Sequence, residues 1–200
     1  MKEIAPGLRW FTALRESIGM QVSSYWLPQE RVVIDPMVPE EGFEAFDDAP
    51  PEHVLLTNRH HDRGAWQYVE RFGSTVHCVR QGLHELEGRG EVTPFDFGDE
   101  LPGGITAYEV GAICPDETAL HIPARGALAC ADGVVHYGGL RFVPDDLMDD
   151  PEDTKAALRA AYAHLAETLE FDNLLVAHGD PVVGGAREAL RTFAGPGADA

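Results

Sequence analysis

Three short apolar runs in this chain each end in side chains of the types that bind metals or move protons. His53-Val54-Leu55-Leu56 leads into Thr57-Asn58-Arg59-His60-His61-Asp62-Arg63, which puts two imidazoles and a carboxylate within three positions. Asn173-Leu174-Leu175-Val176-Ala177 leads into His178, with Gly179 and Pro181 turning the chain just afterwards. Ala127-Leu128-Ala129-Cys130-Ala131 ends in a single carboxylate, Asp132, followed by Gly133. Runs of this length are suited to buried strands. The carboxyl ends of such strands are where backbone rigidity stops and ligands approach, so His60, His61, Asp62, Asp132 and His178 are the candidates for chemistry.

The elements needed to position them can be read from the periodicity. Residues 8 to 35 alternate apolar and polar runs between turn residues, which predicts an antiparallel meander ending at Val32-Val33-Ile34-Asp35-Pro36. An acidic, proline-bearing stretch from Glu40 to Asp48 reads as a solvated loop with one short helix near Phe43 to Phe46. Apolar residues three and four apart from Gly64, closing on Gly73, predict a short helix with a glycine cap. Val76 to Val79 then gives a strand-helix-strand unit that favours parallel pairing. Further strands are expected over Val92 to Phe97 and Gly104 to Val110, and a hairpin joins Thr118 to Ile122 with Ala127 to Cys130. Pro151 with acids in the first turn opens a long amphipathic helix carrying Leu158, Ala161, Tyr162, Leu165 and Leu169 on one face. A last helix spans Gly185 to Phe193, so residues 1–195 form one domain and 196–200 a disordered tail.

The order and content of the three strand ends resemble the metallo-β-lactamase superfamily over most of the chain. The resemblance implies an α/β (α+β) fold, an αββα sandwich of two mixed β-sheets flanked by helices. The family motif His-x-His-x-Asp-His falls on Asn58, Arg59, His60, His61, Asp62 and Arg63. The next family histidine falls on Ala112, in Gly111-Ala112-Ile113-Cys114-Pro115. The bridging carboxylate matches Asp132, and the last histidine matches His178 in His178-Gly179-Asp180-Pro181. Asp35 matches an early acidic residue that supports the site without binding metal.

On that alignment the first metal position would draw on Asn58, His60 and Ala112 and keeps only His60. The second would draw on Asp62, Arg63, Asp132 and His178, with a permanent cation in place of one ligand. If Arg63 points inward, it bridges Asp62 and Asp132 and the cluster is structural. If Arg63 points outward, Asp62, Asp132 and His178, helped by His60, hold one zinc, manganese or iron ion. His61 stands off the ligand pattern and is expected to face solvent, with a ligand role as the alternative if the turn is remodelled. Glu117 is read as a turn or capping residue, with a replacement ligand as the alternative. The implied function is a fold member that has lost its two-metal centre and serves as a binding or scaffolding domain, with no cofactor. The rival is a hydrolase acting on an ester, thioester or lactone, with Asp62 and His178 as its catalytic residues and a single metal ion.

Composition narrows the partners. The 200-residue chain carries a formal charge of −19, from 34 acidic and 15 basic residues. Such a field repels phosphate backbones and anionic membranes. A small-molecule ligand is therefore expected, with no nucleic acid and no membrane, and a homodimer through the Trp- and Tyr-rich amino-terminal strands is a further expectation. Three widely spaced cysteines and a start without signal-peptide layout lead to the expectation of a cytoplasmic protein with buried thiols. No Gly-x-Ser-x-Gly elbow, phosphate loop or dinucleotide fingerprint is present.

Overall fold

A computed structural model describes residues 1–195; the expected tail at 196–200 lies outside the described residues. Seven strands form the first sheet: β1 (Lys2–Ala5), β2 (Leu8–Arg15), β3 (Met20–Leu27), β4 (Val32–Ile34), β5 (His53–Leu55), β6 (Thr75–Val79) and β7 (Val92–Phe95), in that spatial order. The second sheet uses β8 (Glu100–Leu101), β9 (Ile105–Glu109), β10 (Thr118–Ile122), β11 (Ala127–Cys130), β14 (Asn173–Val176) and β15 (Val182–Val183). A separate ribbon pairs β12 (Val135–His136) with β13 (Leu140–Arg141). The helices are α1 (Ala65–Phe72), α2 (Pro151–Thr168) and α3 (Ala186–Ala194).

Period-two alternation sorts side chains between layers. Val32 and Ile34 of β4, Leu55 of β5, Ala127 and Ala129 of β11 and Leu175 of β14 all enter one cluster between the sheets. Their neighbours point the other way. Val33, Val54 and Leu56 pack with α1 residues Ala65 and Tyr68 and with Phe46. Leu128, Cys130, Leu174 and Val176 pack with Leu158, Tyr162 and Leu165 of α2 and Leu190 and Phe193 of α3. Strands that are apolar on both faces must be covered on both, and the result is the αββα sandwich.

The local signals act as the sequence suggests. Asp150 caps α2 by accepting from the Asp153 amide at 3.2 Å, and Pro151 starts the helix. Gly73 closes α1 in the left-handed region at φ 70°. β5 and β6 pair in parallel across α1. The short helix expected near Phe43 to Phe46 is a single 3-10 turn over Phe43–Phe46. Two details differ: β7 stops at Phe95, and the two-residue strand β8 precedes β9. All three cysteines are buried and free. No helix among the described residues is long and apolar enough to cross a membrane.

One half-buried histidine pair is expected to make the fold sensitive to acid. His53 Nδ1 lies 3.1 Å from His77 Nε2 across β5 and β6. Burial, then the neighbouring His53 charge, pushes His77 from 6.5 down to about 4. Because the folded pKa lies below the unfolded one, the stability is whole above pH 6.5 and is lost as pH falls towards 4. The expected loss is about 2 kcal/mol after allowing for partial solvent contact. Urea midpoints measured from pH 7 to pH 4 should slope downward in the parent protein and much less in His77→Gln.

Candidate metal centre

The geometry of the site begins with strand register. β11 and β14 run parallel with Cys130 opposite Val176, so Asp132 and His178, each two residues further on, leave the sheet side by side. Asp132 Oδ1 lies 3.1 Å from His178 Nε2. The two sheets are tied at this edge. Ser23 donates its amide to the Ala177 carbonyl at 2.9 Å and its hydroxyl to the Gly179 carbonyl at 2.6 Å. Tyr25 donates its hydroxyl to Val176 O at 2.8 Å.

The third contributor comes from the first sheet. After β5 the chain turns at Asn58, which is extended (φ −157°, ψ 172°) and accepts from the His60 amide at 2.9 Å. One 3-10 turn over Arg59–Asp62 follows, and it ends at Arg63 with φ 35°. That winding drives His61 inward. Its Nε2 stands 3.1 Å from Asp132 Oδ1, and its Nδ1 stands 2.9 Å from Asp35 Oδ2 and 2.9 Å from Thr57 Oγ1. Asp35 also accepts from the Thr57 amide at 2.8 Å and the Thr57 hydroxyl at 2.6 Å. Asn58 Nδ2 donates to Asp132 Oδ2 at 2.9 Å.

Proton bookkeeping defines what this arrangement can do. Ionised Asp35 only accepts, so the single ring proton of a neutral His61 belongs on Nδ1. Its Nε2 then aims a lone pair at a carboxylate oxygen, and two such groups at 3.1 Å need a cation or a proton between them. Burial opposes charging the His61 ring, but the charges of Asp132 and Asp35 outweigh it despite Arg63, and the pKa rises. Burial likewise opposes an ionised Asp132, yet His61 and His178 hold it well below the usual carboxylate range.

His61, Asp132 and His178 offer two imidazole nitrogens and a carboxylate oxygen, all within 4.8 Å of one another. Ligands at zinc distances in a tetrahedral site stand about 3.3 Å apart, close to the two 3.1 Å separations found. His61 is 2 % exposed on its side chain, Asp132 26 % and His178 14 %, so the set is walled on one side and open on the other. An aspartate holding the far nitrogen of a ligating histidine is the usual outer support of such sites. The residues present therefore fit one divalent ion with a coordination position to spare.

Several expected placements are corrected. Asp62 does not join Asp132 and His178: its Oδ1 accepts from the Arg63 amide at 2.9 Å, and its Oδ2 meets Trp66 Nε1 at 3.1 Å and the Arg89 guanidinium. The tight turn exchanges neighbours, so His61 enters the cluster and Asp62, still buried, turns away from it. Arg63 does point inward, but it bridges no carboxylates. Its Nη1 donates to the carbonyls of Ser23 at 2.7 Å and Asp35 at 3.0 Å. Burial, opposed by Asp35 and Asp132 and reinforced by Arg15, lowers its pKa. His60 is exposed, with Nδ1 3.7 Å from a Glu85 oxygen, and is no helper to the cluster. Ala112 is partly buried and packs against the apolar cluster that α2 joins. His121 and His136 contact the carbonyls of Glu170 and Asp180.

Glu117 is fully buried and ties two loops together. One oxygen accepts from the Gly133 amide at 2.5 Å, the other from the Ile113 amide at 3.2 Å. Burial, then the Asp132 charge, pushes its pKa up to about 7. Removing this clamp should loosen Asp132. Glu117→Ala is expected to cost about 2 kcal/mol in urea unfolding and to weaken zinc binding roughly tenfold in calorimetry, with Glu117→Gln in between.

No family model and no curated protein sequence matches the chain. Solved structures do. A di-iron-bound form of the protein TTHA1623 aligns with TM-score 0.68 and 21% identity, over 87% of this chain and 96% of that one. The metallo-β-lactamase FIM-1 from Pseudomonas aeruginosa, in its mono-zinc form, aligns with TM-score 0.70 and 14% identity, over 96% and 93%. Rubredoxin oxygen:oxidoreductase from Desulfovibrio gigas aligns with TM-score 0.68 and 14% identity over 96% of this chain, which spans 61% of that protein. The chain has the metallo-β-lactamase fold.

Proposed function

We propose that this protein carries one divalent metal ion on His61, Asp132 and His178, in place of a two-metal centre, and uses it to hydrolyse an ester, thioester or lactone. The observation that supports this most is the His61 ring, whose Nδ1 is held by Asp35 while its Nε2 faces Asp132. Zinc, manganese and iron all accept imidazole ligands beside a carboxylate. An ion there would polarise a substrate carbonyl and acidify a water. The chain's own residues supply the rest. Asp35 and Thr57 fix the His61 tautomer, Asn58 steadies the second oxygen of Asp132, and the open side of Asp132 and His178 admits substrate. The substrate classes come from fold analogy.

A second reading, a non-hydrolytic binding or scaffolding domain, has its own support. With His61 protonated, Asp35, Asp132, His61 and Arg63 sum to zero charge without an ion, and an internally balanced cluster can be purely structural. Elemental analysis separates the two. About one equivalent of zinc, manganese or iron, lost in His178→Ala, carries the single-ion reading; no metal on purification and no calorimetric zinc binding overturns it. Given metal, the absence of any ester, thioester or lactone turnover sensitive to His178→Ala would remove the hydrolytic part.

A further inference from the structure

A cleft of about 750 Å³ opens between the end of β2 and its turn, the segment after β4, the start of α1 and Arg89. Its size suits a small organic ligand. It gathers three guanidiniums, Arg15, Arg63 and Arg89, against two acids, Asp62 and Glu16, in a chain whose net charge is −19. Asp62 is already used by the Arg63 amide, Trp66 and Arg89. Arg63 is used by backbone carbonyls. Arg15 spends only Nη1, on the His60 carbonyl at 2.7 Å, and its remaining N–H groups have no protein partner among the described residues. Arg15 and Arg63 line the same cleft, with Asp62 turned away to Arg89. An anion relieves such an arrangement, and a carboxylate matches the planar guanidinium fork.

Apolar side chains and one fixed aromatic ring make up part of the remaining wall. Leu14 is 51% exposed, and Met37 and Val38 continue its wall. The Trp66 indole is fixed at both ends: its Nε1 is bonded to Asp62, and Gly90 packs so closely on the ring that a Cβ there would strike it. A fixed aromatic wall costs little entropy when a ligand settles on it.

We infer that this cleft binds a small organic carboxylate, with Arg15 and Arg89 gripping the charged end and Leu14 and Trp66 covering the apolar body. None of His61, Asp132 and His178 lines it, so the inference stands apart from the metal reading. Calorimetry of the full chain with hexanoate, hexanamide, acetate and inorganic phosphate tests it. Hexanoate should bind saturably, at least about tenfold tighter than acetate, while hexanamide should not bind. Arg15→Gln and Arg89→Gln, both at accessible positions, should each weaken hexanoate about tenfold, and His178→Ala should leave it unchanged. No saturation, equal binding of hexanamide, or phosphate matching hexanoate would overturn the proposal. So would hexanoate binding that survives Arg15→Gln but is lost in His178→Ala or with chelator, because the anion would then sit on the metal centre.

Discussion

On the proposed single-ion reading, Asp132→Asn is expected to leave the purified protein without metal and to weaken zinc binding by on the order of 100-fold or more. The reason is how much converges on one oxygen. Asp132 Oδ1 stands 3.1 Å from both His61 Nε2 and His178 Nε2, while Oδ2 is held by Asn58. Changing an outer support of a metal site typically costs 10- to 100-fold, so losing the charge on the shared ligand should cost at least the upper end. Asp132→Asn keeps the size of the side chain, which separates lost charge from a packing defect. Elemental analysis and competition with a zinc chelator provide the readout. Unchanged zinc affinity in the variant would exclude Asp132 as a ligand.

Arg63→Met should be the most damaging of the site substitutions for stability, by about 3–5 kcal/mol. The guanidinium serves the carbonyls of Ser23 and Asp35 and stands near two buried carboxylates. Methionine fills part of the volume but leaves those acceptors bare and the Asp35–Asp132–His61 cluster one positive charge short. Lysine should restore only part of the loss, because a single ammonium cannot reproduce a planar fork. Urea unfolding of the three proteins measures the difference, and a shift under about 1 kcal/mol would show that water already serves those acceptors.

The sandwich was legible because each strand end carries its own signature. The runs before Asp132 and His178 are apolar on both faces, and glycine or proline marks the turn after each. Both residues follow directly on strand ends, as the sequence suggests; that the two strands lie side by side in parallel is seen only in the structure. The turn at residues 58 to 63 was not legible in the same way. Which of His60, His61 and Asp62 enters the site depends on winding, and a 3-10 turn closing at a positive-φ arginine shifts the answer by one residue. Asp62 is drawn away from the cluster by Arg89, a partner 27 positions away that no local pattern reveals. The clue that was available is Thr57, four residues before His61 and beside the end of β4, where Asp35 waits. Two-residue strands such as β8 and β15 left no period to read; they exist because a neighbour pairs with them.

The parallel alignment of β11 with β14 has an evolutionary corollary. Adjacent strands lie about 4.8 Å apart, so side chains leaving neighbouring strand ends can converge to the roughly 3.3 Å that separates two donors on one ion. Any lineage that preserves this alignment keeps two chemically addressable seats at the sheet's rim, whatever occupies them.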